Sequence, residues 1–122
     1  KIVAIDCFAN KFSRAKVLFL ETTRGLNVEL IEKKSDEVVK NWDKPIDFIH
    51  IDGNHKYYQV KRDLESWMPY LKKGSYAFFH DYNSNLNLKY GVKRVIDNLG
   101  SKYFDEIITN PQINGFAICR KK

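Results

Sequence analysis

Ile46-Asp47-Phe48-Ile49-His50-Ile51-Asp52-Gly53-Asn54-His55 is the stretch on which the fold turns. Pro45 precedes it, apolar residues fill its body, and it ends on an acid followed by a glycine. That pattern predicts a strand over 46–52 with its polar residues gathered at the carboxyl end. Tyr57 to Leu71 then has the spacing of an amphipathic helix, closed by Lys72-Lys73-Gly74. Ser75 to His80 reads as the next strand and runs into Asp81-Tyr82.

The pattern continues in both directions. Upstream, Lys1 to Asp6 is a short apolar strand ending in an acid. Phe12, Ala15, Leu18 and Phe19 recur at helical spacing between about Lys11 and Thr23, with Gly25 as a stop. Val28 to Ile31 is a further strand, and Ser35 can cap a short helix whose inner face is Val38, Val39 and Trp42. Downstream, Val92 to Leu99 is a helix stopped by Gly100. Phe104 to Thr109 and Gly115 to Arg120 are strands joined through Pro111 with no room for a helix, so they should pair antiparallel. The order β-α-β-α-β-α-β-α-β-β predicts an α/β, Rossmann-like sheet. It should be mostly parallel, covered by helices on both faces, and closed by a C-terminal antiparallel strand pair.

Length and composition bound the rest. A chain of 122 residues fits one domain, here a partial one spanning 1–122. Hydrophobic residues at 43% and charged residues at 30% predict an ordered globule. The net charge is +6, but three of those charges are the tail Arg120-Lys121-Lys122, which leaves +3 for the body. The other lysines are scattered in pairs such as Lys33-Lys34 and Lys72-Lys73, which describes a solvated surface and not a nucleic-acid face. Phe78 and Phe79 sit in an apolar run and read as core, as do Trp42 and Trp67. Cys7 and Cys119 are far apart and make neither a disulfide framework nor a metal motif, which fits a cytoplasmic setting. No apolar run approaches the ~18 residues of a membrane span, and residues 1–122 carry no signal-peptide pattern, so none is expected. The first residue is Lys and not Met, and it opens straight into an apolar strand, so the start is expected to be cut or processed.

In open parallel sheets ligands bind beyond the carboxyl ends of the strands. The residues there are Asp6, the Lys33-Lys34-Ser35 turn, Asp52 to His55, and His80 to Tyr82. An acid placed like Asp6 can accept bonds from both hydroxyls of a ribose, or cap the next helix. Asp52 and Asp81 end strands separated by one crossover helix. If those strands are neighbours, the two carboxylates repel unless a cation such as Mg²⁺ lies between them. The alternative is a helix cap at Asp52 and a turn at Asp81. His80 can add a nitrogen ligand, which shifts preference towards Mn, Fe or Zn. His55 reads as a general base, as a ligand, or as a helix N-terminal residue. His50, inside its strand, reads as a structural histidine.

Residues 46–55, followed by Tyr58, Val60, Asp63-Leu64, Trp67, Pro69, Leu71 and Gly74, then Phe79-His80-Asp81-Tyr82 and Gly91-Val92, form one combined pattern. It resembles the class I S-adenosylmethionine-dependent methyltransferases, and more narrowly the branch with an IDG-x-H motif often found near sugar and natural-product biosynthesis. The match runs from Lys1 to about Leu99, and the closing hairpin agrees with that fold's antiparallel last strand. The resemblance implies that Asp6 holds the cofactor ribose and that Ser35 lies against the adenine, although the family often has an acid where this chain has Lys34. It implies that Asp52 closes the cofactor site and can hold metal. Related metal-dependent O-methyltransferases have a catalytic base at the position of His55 and further metal ligands at those of His80 and Asp81. The first of that last pair is usually an acid there, and His80 departs from it. The family's glycine-rich loop belongs to a strand before the one that ends at Asp6. The six glycines here, at 25, 53, 74, 91, 100 and 115, contain no G-x-G. That first strand and its loop are therefore missing from the chain and are expected upstream of Lys1 or from another chain. Alone, this piece is expected to bind the cofactor poorly.

The implied activity is methyl transfer from S-adenosylmethionine to a hydroxyl of a small molecule such as a sugar or natural product, catalysed by the intact protein. His55 would take the hydroxyl proton, and a metal on Asp52 and Asp81 would lower that hydroxyl's pKa. Acceptor selection is expected in the loop from Tyr82 to Tyr90, with Asn83, Asn85 and Asn87. Two other readings stand beside this one. The first is a non-catalytic Rossmann-like assembly module that forms homo-oligomers through open strand edges. The second is a metal-dependent hydrolase built on the two acids and two histidines.

Overall fold

Ile51 and Phe79 are neighbours across two parallel strands, and that register brings the ends of both strands to one edge. The computed structural model describes residues 1–9, 14–83, 91–110, 112 and 115–122. The chain divides into two compact units, Lys1–Trp42 and Asp43–Lys122.

In the first unit, strand β1 (Ile2–Ile5) pairs in parallel with β2 (Val28–Ile31), Ile2 opposite Val28 and Ile5 opposite Ile31. Helix α1 (Ala15–Thr22) connects them, and α2 (Ser35–Val38) follows, continued by a 3₁₀ turn over Val39–Asn41. Helix α1 is described from Ala15; the expected start near Lys11, with Phe12, lies outside the described residues. Ser35 does not cap α2. Lys34 takes the extended conformation of the cap position, and Ser35 is already the first helical residue.

The second unit contains β3 (Ile46–Ile51), α3 (Tyr57–Trp67), β4 (Leu71–His80), α4 (Val92–Tyr103), β5 (Phe104–Asn110) and β6 (Phe116–Lys121). The strand order is β3-β4-β6-β5, with β3 and β4 parallel and β6 antiparallel to both its neighbours. The expected closing hairpin is therefore present. Val60, Leu64 and Trp67, at helical spacing, are the buried residues of α3; Val92, Val95, Ile96 and Gly100 are those of α4. Val60, Leu64, Val92, Val95 and Ile96 join Ile51, Ala77, Phe79, Ala117 and Cys119 in one core, in which Phe79 meets Phe104 edge to face at 6.2 Å.

Three expectations change here. Helix α3 ends at Trp67 instead of Leu71, because Pro69 has no N–H to continue the ladder. Leu71 already pairs with Ile46, so Lys72-Lys73-Gly74 lies within β4 as an irregularity, with Gly74 at φ +78. Helix α4 runs through Gly100 to Tyr103, since that glycine lies where a Cβ would come within 2.8 Å of Ile107. Finally, this unit's helices bury the face of Ala77 and Phe79 and not both faces. The steps β3 to β4 and β4 to β5 cross the sheet in the same direction, and right-handed crossovers then place both helices on one side. On the other face, Phe48, Tyr76 and Ile108 are exposed.

Candidate functional site

The carboxyl ends of β3 and β4 bring four polar side chains together. Asp52 follows β3 directly, and His55 lies in the turn before α3. Lys56 holds the cap position of that helix with no side-chain cap bond, and its N–H donates to Asn54 Oδ1 at 3.0 Å. The helix-cap alternative for Asp52 is thereby overturned; its carboxylate faces two imidazoles instead.

His80 is the last residue of β4 and Asp81 the next. Successive residues of an extended strand point to opposite faces. Asp81 breaks that alternation with a left-handed φ of 54, a conformation that Asp tolerates better than most residues. Its Oδ2 thus comes within 3.3 Å of its own neighbour's His80 Nδ1. The remaining edges close a ring. His80 Nδ1 is 3.4 Å from Asp52 Oδ1, His55 Nε2 is 3.4 Å from the same oxygen, and His55 Nε2 is 3.3 Å from Asp81 Oδ2. Carboxylate oxygen and imidazole nitrogen alternate around it.

These separations exceed a good hydrogen bond, which lies near 2.9 Å for N–H···O. His80 Nδ1 is buried and has no hydrogen-bond partner. Among the described residues, Asp52, His80 and Asp81 are the one cluster of at least three metal-ligating side chains, their donor atoms lying within 4.8 Å of one another. A divalent ion bound between them would ligate the orphaned nitrogen and separate the two carboxylates, so the donor set fits a metal.

The surroundings hold this edge in place. The Gly91 N–H donates to the His55 carbonyl at 2.5 Å, and a Cβ at position 91 would lie 2.1 Å from Tyr57 Cα. Only glycine lets the start of α4 approach the start of α3 so closely. Arg94 reinforces the contact by lying over the Tyr57 ring at 4.8 Å. Beyond Asp81, the Tyr82 ring is buried and its hydroxyl donates to Asp97 Oδ1 at 3.0 Å. Burial first, and that bond second, raise the Tyr82 pKa. Lys93 bonds the other Asp97 oxygen. The sequence reading assigned neither Gly91 nor Asp97 a role. The partial signals were the Gly91-Val92 pair and the i,i+4 spacing of Lys93 and Asp97.

The other expected residues lie in the first unit. Asp6 follows β1 and is exposed; its Oδ1 accepts the Phe8 N–H at 2.7 Å, a local turn with Phe8 at φ 43. Ser35 is half-buried at the start of α2. His50, read as structural, is exposed, with its ring against Phe78 at 5.0 Å and near His80 at 6.5 Å. In the acceptor loop, Asn83 is described, whereas Asn85 and Asn87 lie outside the described residues. None of the described helices is long and apolar enough to cross a membrane.

Known proteins resemble this chain in sequence and in fold. A family described as a methyltransferase domain matches residues 1–82. A TDP-rhamnose 3′-O-methyltransferase of calicheamicin biosynthesis superposes with a TM-score of 0.64 at 21% identity, over 98% of this chain and 57% of that one. An O-methyltransferase from Bacillus cereus, in complex with SAH, gives a TM-score of 0.70 at 14% identity, over 100% of this chain and 63% of that one. At such identities the likeness is one of fold. An aspartate–ammonia ligase of Lactobacillus delbrueckii subsp. bulgaricus is 31% identical over 91 residues, 73% of this chain but 24% of the ligase. The chain spans 4% to 28% of the length of the curated relatives it matches.

Proposed function

The chain belongs to a methyltransferase-domain family, and from that membership we propose that it forms part of an S-adenosylmethionine-dependent O-methyltransferase acting on a small-molecule hydroxyl. The observation that carries this reading is the placement of His55 Nε2 within 3.4 Å of both Asp52 and Asp81, at the carboxyl ends of two parallel strands. The fold shared with O-methyltransferases, one of them acting on a deoxysugar, supports a hydroxyl acceptor of the sugar or natural-product class. Residues 1–122 are read as a portion of one methyltransferase domain.

The sulfonium cofactor supplies a methyl group already attached to a good leaving group. What remains for the protein is alignment and a proton acceptor. His55 Nε2 takes the hydroxyl proton as the new C–O bond forms and the S–C bond breaks. The imidazolium then forms beside two carboxylates, so its charge arises next to opposite charge. Asp6 and Ser35 are assigned to the ribose and adenine, and Asp52 to the cofactor side of the site. Asp52, His80 and Asp81 would hold a divalent metal, which would supply Lewis-acid lowering of the hydroxyl pKa.

The test uses the longer protein in which this chain occurs. It should bind S-adenosylmethionine in calorimetry and transfer a labelled methyl group to a member of a panel of catechols and nucleotide-linked deoxysugars. Cofactor binding with transfer supports the reading; absence of any cofactor binding overturns it.

A further inference from the structure

The donor atoms at the strand ends carry one more inference, which rests on the reading above that Asp52, His80 and Asp81 hold a cation. Mg²⁺ and Ca²⁺ are hard ions that take oxygen ligands, and two carboxylates alone would suit them. This site adds an imidazole nitrogen, His80 Nδ1, that is buried and makes no hydrogen bond, 3.4 Å from one carboxylate oxygen and 3.3 Å from the other. A buried polar atom left without a hydrogen bond is costly. Mg²⁺, which keeps its waters and prefers oxygen, relieves that cost poorly; an ion with affinity for imidazole relieves it directly.

The spacing agrees. Metal bonds of about 2.0–2.2 Å, as in zinc sites, place tetrahedral ligands about 3.3–3.6 Å apart. Both His80 edges fall at that separation. Three protein donors also leave a position open, the arrangement of catalytic rather than structural metal sites. The His80 side chain is 44% exposed, but its Nδ1 atom is turned inwards. His80 is paired with Phe116 across the β4–β6 register, and the ring of His50 stands 6.5 Å away. The left-handed turn at Asp81 then brings the second carboxylate to the same nitrogen.

We infer that this site selects an imidazole-binding transition metal of the Mn²⁺-to-Zn²⁺ class over Mg²⁺, and that His80 is the residue that sets the choice. Because Zn²⁺ outbinds Mg²⁺ at many nitrogen and oxygen sites, the decisive quantity is how the preference changes when only His80 changes.

The experiment uses the full chain carrying Cys7→Ser, which removes the exposed thiol as a competing ligand. Equilibrium dialysis and calorimetry with Zn²⁺, Mn²⁺ and Mg²⁺ compare it with the same chain carrying His80→Asp, folding being checked by circular dichroism. His80→Asn takes its place if the aspartate variant unfolds. The expected result is one Zn²⁺ per chain that millimolar Mg²⁺ does not displace. Replacing His80 should lower the Zn²⁺-over-Mg²⁺ preference by about 100-fold, the upper range for loss of even an outer-shell partner. Bound Co²⁺ should show visible absorption that is lost with His80. A preference unchanged by the substitution, or Mg²⁺ binding as tightly as Zn²⁺, overturns the inference. Cofactor binding and methyl transfer are read separately. Their failure with the metal preference intact would overturn the proposed activity and leave this inference standing.

Discussion

Within Lys1–Trp42 the chain forms two paired strands and two short helices, yet none of its described residues is buried; within Asp43–Lys122 similar elements close over a core in which Leu64, Phe79, Ala77 and Cys119 are fully buried. In α1, Val17, Leu18 and Leu20 remain about half exposed, and Leu26 beyond it more so. Among its described residues the first unit has a two-stranded sheet, an arrangement with little independent stability. The second has four strands and two helices whose apolar stripes meet one sheet face. The difference teaches that apolar periodicity specifies what kind of element forms, while burial depends on a partner surface the same pattern does not supply.

The comparison is broken most directly by deleting a core ring. Phe79→Ala should cost about 3–5 kcal/mol in urea unfolding followed by tryptophan fluorescence. Leu18→Ala, at a position 53% exposed, should stay within about 0.5 kcal/mol. Equal losses at the two positions would refute the contrast. A smaller effect is expected at the close contact between the site helices. Gly91→Ala inserts a Cβ 2.1 Å from Tyr57 Cα and should cost about 1–3 kcal/mol, by the same unfolding measurement.

The cysteines sharpen the contrast without altering the packing. Cys7 is exposed and Cys119 buried, and burial pushes the Cys119 thiol up to about 12. A thiol-specific reagent should label Cys7 in the folded chain and Cys119 only after unfolding. The sign of the pH effect follows from linkage. Below the ordinary thiol value near 9.0, Cys119 is protonated folded or unfolded, and its contribution is fully present. Between there and about 12 only the unfolded thiol ionises, so stability should fall as pH rises through that window. Cys119→Ala should flatten this decline; an unchanged slope would contradict the assignment.

Much of this architecture is legible in the residues. The apolar run 46–51 and its terminal Asp52 define β3 and the site edge, and the short Pro111 connection requires the antiparallel hairpin. What was not legible depends on packing between elements. Gly100 reads as a helix stop, but α4 continues past it because the helix approaches Ile107 closely. Lys72-Lys73-Gly74 reads as a helix end, but Leu71 is already recruited opposite Ile46. At the site, the sequence places Asp52, His55, His80 and Asp81 at strand ends. It does not foretell the left-handed Asp81 that turns adjacent residues towards each other, or the glycine contact that holds His55.

The central claim is that His55 Nε2 is the proton acceptor, with two carboxylates beside it to stabilise the imidazolium that forms. The most direct measurement is the kinetics of His55→Ala in the longer protein, alongside its affinity for S-adenosylmethionine. The account predicts that kcat for methyl transfer falls by about 10²–10⁴-fold while cofactor Kd changes little. An unchanged kcat, or a loss of activity explained entirely by weakened cofactor binding, would contradict it.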